Sequence, residues 1–206
     1  TFAIRNGIFY EFCQKAINDP EREYVFIIDE INRGNLSQIF GELLMLIEND
    51  KRGKEHAVPL VYRNADEPRF YVPGNLYILG LMNLADRSLA MVDYALRRRF
   101  AFITLKPQFQ SELYKHWLED REMDSELIEL VINRMSKLNE EILSDPLLGG
   151  NYQVGHSYFC PRGDDFSGLT RSWYENIIRT EIIPLLEEYW FDNREKVEDM
   201  QRRLLA

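Results

Sequence analysis

Residues 25–36 read VFIIDEINRGNL, and this stretch decides how the rest of the chain is arranged. From Tyr24 to Ile28 the residues are apolar without interruption, the pattern of a strand covered on both faces as in a parallel sheet. The run ends on two adjacent carboxylates, Asp29 and Glu30. In open α/β sheets ligands sit beyond the carboxyl ends of the strands. Two acids at that place suit phosphoryl transfer, with Asp29 holding a hydrated metal ion and Glu30 polarising an attacking water. The competing reading is that the acidic pair only opens a polar loop.

Outward from this point, Leu36, Ile39, Phe40, Leu43 and Ile47 recur at helical spacing, and Asn35 stands where an N-cap belongs. Residues 58–62 and 69–72 flank the polar stretch NADEP and read as a hairpin. Residues 77–81 form a second apolar run that ends on Met82 and Asn83. Asn83 is placed to orient the same water or to touch a terminal phosphate. Residues 89–98 read as a short helix and residues 100–105 as a third strand closed by Pro107. Strands joined by helices predict an α/β sheet, parallel in sense.

Past Pro107 the pattern changes to helix. Residues 111–119 and 125–143 are helical, the second with apolar positions 127, 128, 131, 135, 138 and 142. A loop over 145–170 carries five glycines and two prolines. A last helix over 173–190 contains Pro184, which must kink or split it. The expected organisation is an α/β core over 1–107 and a helical subdomain over 108–206.

The run ALRRRF places Arg97, Arg98 and Arg99 before an apolar segment. Consecutive helical residues lie about 100° apart, so the three cannot share a face. One projecting arginine can reach a neighbouring subunit's nucleotide as an arginine finger. Equally, the run can be a solvated basic helix end complementing the helix dipole.

Bulk properties set the limits. The 206 residues carry a formal net charge of −9, which argues against nucleic-acid binding through this surface itself. Two cysteines, Cys13 and Cys160, make no disulfide framework and fit a reducing, cytoplasmic setting. A metal site built from these cysteines and His156 is disfavoured by Pro161 and the surrounding glycines, which oppose the helix that the four-residue spacing would need. No apolar run approaches the roughly 18 residues of a membrane span.

The stretches FIIDEINRGNLSQIFGELLMLIENDKRG (26–53) and LMNLADRSLAMVDYALRRRF (81–100) resemble the McrB family of AAA+ proteins, the GTP-hydrolysing motors of methylcytosine-dependent restriction. The first is similar to that family's Walker B segment and following helix. The second contains MNxxDRS, a signature specific to the family, and its arginine-finger helix. NYQVGHSYF (151–159) resembles the family's helical lid. The resemblance implies Asp29 as ligand of Mg²⁺ and Glu30 as the catalytic carboxylate. It makes Asn83 the sensor residue and brings Asp86 and Arg87 near the nucleotide or an accessory subunit. It further implies Arg98 as the trans-acting finger with Arg99 as companion, and His156 near the nucleotide across the lid. GTP or ATP would be the substrate. A homo-oligomeric, hexameric ring and an McrC-like nuclease subunit come with the family, as does DNA contact only through other domains or subunits.

One family feature is missing. A phosphate-cradling loop requires GxxxxGK[ST]; the only Gly-Lys pair, Gly53-Lys54, is followed by Glu55 and has no preceding strand. The expectation is therefore that the P-loop lies upstream of Thr1, its strand sitting between those of residues 77–81 and 100–105. These residues alone would then hydrolyse nothing. The competing class is a degenerate, non-hydrolysing AAA+ module used for assembly.

Overall fold

The computed structural model describes residues 5–62, 66, 68–85, 97–161 and 168–206. They form two compact units, Thr1–Ile103 and Thr104–Ala206.

In the first unit, β1 (Tyr24–Ile28) pairs in parallel with β2 (Leu76–Gly80), Tyr24 opposite Leu76 and Ile28 opposite Gly80. Helix α1 (Ile8–Asn18) packs on one face of this sheet. Phe9 meets Phe26 and Phe40 edge-on, and Phe12 meets Tyr24 and Phe26 in the same manner. The Asn75 amide reaches the carbonyls of Ala16, Asp19 and Arg22 at 2.8–3.1 Å, closing the end of α1 against the start of β2.

The expected burial of both sheet faces is not met. Val25, Ile27, Tyr77 and Leu79 alternate out of the core and are exposed. Alternate side chains of a strand point to opposite faces, and α1 supplies cover to only one of them.

The third strand expected over 100–105 is also absent. This segment has no strand structure, and Ile103 and Leu105 are 86% and 88% exposed. A strand persists only beside another backbone that takes up its N–H and C=O groups, and among the described residues none lies alongside it. Of the hairpin, the described residues keep a single antiparallel bridge, Val58 with Phe70, closed by two 2.8 Å hydrogen bonds. The helix expected over 89–98 falls almost wholly outside the described residues.

The helix after β1 is shorter than its periodicity predicts. Asn35 caps α2 (Leu36–Phe40) by accepting from the Gln38 N–H at 3.0 Å. Gly41 then takes φ +48°, and the chain continues as a 3₁₀ turn over Gly41–Met45. Only glycine enters that backbone region without a Cβ penalty, so the helix ends there while Leu46 and Ile47 still reach the core.

Among the described residues the regular elements of the second unit are all helices. Helix α3 (Glu112–Glu119) leads into α4 (Ser125–Ser144), whose first turn is capped by Asp124 accepting from Glu126 and Leu127. All six predicted apolar positions of α4 are buried. Then α5 (Arg171–Ile177) runs through a π-helical turn, Ile178–Ile182, into α6 (Ile183–Tyr189), and α7 (Arg194–Leu205) follows. The π turn is the answer to Pro184. A proline ring clashes with the carbonyl four residues back, and widening the preceding turn, with the Ile183 N–H bonded to Ile178, relieves it. The buried Asn139 holds Val154 at both ends, accepting its N–H at 2.6 Å and donating to its carbonyl at 2.9 Å. That pins the loop over 150–160 to α4. Within this unit no helix, and among the described residues as a whole none, is long and apolar enough to cross a membrane.

Candidate active site

Parallel pairing brings the carboxyl ends of β1 and β2 side by side, with Ile28 opposite Gly80. Two further backbone bonds extend the ladder past the strands, Leu81 N–H to Ile28 O and Ile31 N–H to Leu81 O, both 2.9 Å. Asp29 and Glu30 therefore turn out of the sheet beside the segment that carries Asn83. Gly80 permits this close approach: a Cβ there would lie 2.6 Å from Ile31 Cδ1 and 3.1 Å from its Cγ2.

The acidic turn is tightly wound. Asp29 Oδ1 accepts the Glu30 N–H at 3.0 Å. Glu30 itself sits in the left-handed region at φ 49°, ψ 46°, one of two described non-glycine residues with positive φ. An L-residue there carries of order 1–2 kcal/mol of strain, and such outliers concentrate where a site demands a particular direction of a side chain. The Glu30 carboxylate forms an ion pair with Arg33 Nε across the 3₁₀ turn Ile31–Arg33.

Asn83 folds back on itself, its Oδ1 accepting the Ala85 N–H at 3.0 Å. Its side-chain oxygen is thus engaged, and its Nδ2 is a donor, the kind of group from which a phosphate oxygen accepts. Asn32 bridges the two strand ends, donating from Nδ2 to the Asn83 carbonyl at 3.3 Å. Sequence reasoning missed Asn32 and Arg33. Their position two and three residues after the acidic pair at a strand end is the signal that could have found them. Asp29, Glu30 and Asn83 are all exposed, so the constellation opens to solvent.

Among the described residues no three His, Cys, Asp or Glu side chains converge. One carboxylate, Asp29, beside an open polar edge fits Mg²⁺, which keeps several waters and takes phosphate oxygens as ligands.

Asp86 and Arg87 fall outside the described residues. Arg98 is exposed, whereas Arg99 turns inward and pairs with Glu48 at 2.8 Å, its side chain only 13% exposed. His156 belongs to the helical unit, where its Nδ1 accepts the Gln108 N–H at 3.2 Å and its ring meets Phe109 and Tyr114 edge-on. Cys13 is fully buried on the inner face of α1, and burial pushes its thiol up to about 12, so it stays protonated and unreactive.

Comparison with known proteins meets this geometry from the other side. The AAA domain (dynein-related subfamily) model matches residues 1–100, and the model of the McrB alpha-helical lid domain matches residues 130–198. The chain is 49% identical over all 206 residues to the EcoKMcrB subunit of the type IV methyl-directed restriction enzyme of Escherichia coli (strain K12), covering 45% of that protein. It is 28% identical over 121 residues to the type II restriction enzyme BsuMI component YdiS of Bacillus subtilis (strain 168), covering 54% of this chain and 35% of that one. The chain thus spans less than half the length of either relative. An AAA match over the sheet unit, a lid match over the helical unit and near-half identity from end to end agree on one assignment: the chain belongs to the McrB family of AAA+ proteins.

Proposed function

We propose that this chain is the Walker B, sensor and lid portion of a ring-forming AAA+ nucleoside triphosphatase that hydrolyses GTP or ATP with Mg²⁺. The observation that carries the reading is the placement of Asp29, Glu30 and Asn83 just past the adjoining carboxyl ends of two hydrogen-bonded parallel strands. Asp29 would hold the ion, which neutralises charge on the phosphates when bound. Glu30, aimed outward by its left-handed backbone, accepts a proton from the attacking water, and release from Arg33 frees it to do so. Asn83 donates from Nδ2 to the terminal phosphate. The exposed Arg98 reaches a neighbouring copy's nucleotide, while Asp86 and Arg87 complete the signature beside it. For His156, the Gln108 bond and the aromatic neighbours support a role in shaping the helical lid itself.

The phosphate-binding loop belongs on a preceding segment of the polypeptide. No GxxxxGK[ST] occurs in these 206 residues, and among the described residues one edge of β2 is unpaired and one apolar face of the sheet is exposed, next to which another strand and helix would fit. The ring is a homo-hexamer in this reading, coupled to an McrC-like nuclease subunit, with DNA read by other parts of the assembly in the cytoplasm.

The test is turnover by the full-length gene product. Wild type should hydrolyse GTP or ATP, and Glu30→Gln should bind the same nucleotide and fail to turn it over. Loss of turnover without retained binding would contradict the role given to Glu30. Absence of any turnover in wild type would favour the non-hydrolysing assembly module.

A further inference from the structure

Three arginines in a row pose a geometric problem that the fold resolves. Arg97 and Arg98 are exposed, whereas Arg99 is drawn inward to Glu48, its Nη2 2.8 Å from Glu48 Oε1. Both partners are partly shielded, at 13% and 32% side-chain exposure. A charge-assisted bond of that length between shielded groups fixes direction as well as proximity. The next residue, Phe100, packs against the cluster of Ile31, Leu36, Phe40 and Ile47. Ile31 directly follows Glu30, and Glu48 directly follows Ile47. Two consecutive residues, one by charge and one by packing, therefore clamp this segment to the walls of the acidic turn.

We propose that Glu48 is a positioning residue: by holding Arg99 inward it forces Arg98 outward, toward the nucleotide of an adjacent subunit. Arg99 is then an anchor and not a second finger. The inference rests on the proposed trans role of Arg98 and extends it by naming the group that aims it. The clamp also joins a subunit's own hydrolytic turn to the arginine it lends its neighbour, since Phe100 packs against the cluster that contains Ile31, the residue after Glu30.

Glu48→Gln keeps the shape and removes the charge that Arg99 Nη2 faces. In the full-length protein this variant should lower turnover by about 10²-fold, the scale of a misplaced group, with nucleotide affinity unchanged and the protein still folded at the assay temperature. The deciding measurement mixes Glu48→Gln subunits, whose own sites are intact, with Glu30→Gln subunits, whose fingers are intact. Each alone should be nearly inactive, and the mixture should recover turnover. A mixture that stays inactive would show that Glu48 serves its own site, and unchanged turnover in Glu48→Gln alone would equally overturn the proposal. Should Glu48→Gln fold poorly, the reversed pair E48R with R99E takes its place. Restored activity supports an anchor, and continued loss means that Arg99 itself touches nucleotide. An inert wild type would instead remove the reading beneath the inference.

Discussion

At the residue scale, the most informative position is Glu30. Its left-handed backbone is unfavourable for any side chain, and Asp29 Oδ1 stabilises the turn that imposes it. Glu30→Gly should therefore raise stability by about 0.5–1 kcal/mol, the relief of strain less glycine's greater entropy in the unfolded chain. The exposed ion pair with Arg33 subtracts little. Turnover of the full-length protein should vanish in the same variant, so thermal melts and hydrolysis assays must move in opposite directions. Gly80 makes the complementary case. A methyl group there meets the buried Ile31 from below 3 Å. Gly80→Ala should cost about 1–3 kcal/mol, as overpacking does, measurable as a lower denaturant midpoint. The strand–acid–acid pattern was legible in the sequence because it is local. The strain at Glu30 and the Gly80–Ile31 approach were not, since each depends on where the second strand lies.

At the element scale, the helices were read well where periodicity and caps agreed. Asp124 and Thr170 cap α4 and α5, and the six apolar positions of α4 all face inward. Helix α7 was not anticipated, although Asn193 accepts from Lys196 as its cap and Val197, Met200 and Leu204 are its buried face. That spacing was visible but is set in a strongly charged stretch. What joins α7 to the end of α4 is Asp145, which accepts from Lys196 Nζ at 2.7 Å, from Trp190 Nε1 at 2.8 Å and from the Leu147 N–H at 2.9 Å. The lysine bond, followed by the backbone bond, holds its carboxyl down at about 2. A depressed folded value against an unfolded one of about 3.9 means stabilisation that is fully present above about pH 4. It is lost as pH falls toward about 2. Asp145→Asn should consequently melt lower than wild type at neutral pH, and the gap between their melting temperatures should close across that acid window.

At the scale of the whole molecule, the two units differ in how complete their cores are. In Thr104–Ala206, Phe159, Tyr174, Ile178, Leu186 and the inner face of α4 are buried among one another. That unit expressed alone should unfold cooperatively, and a broad, non-cooperative melt by circular dichroism would count against it. Thr1–Ile103 leaves Val25, Ile27, Tyr77 and Leu79 exposed on one sheet face, so it should bind a hydrophobic dye far more strongly than the helical unit does. Sequence alone determined the class of fold, the ends of β1, the helical faces of the second unit and the residue types that suit phosphoryl transfer. These follow from local rules of period, cap and charge. Only tertiary structure decided which face of the sheet is covered, that residues 100–105 pair with no strand among the described residues, that Asn32 bridges to Asn83, and that Arg99 faces in while Arg98 faces out. The reason is physical: each of these depends on a partner distant along the chain, and a side chain's direction is settled by what it packs or pairs with, not by its neighbours in sequence.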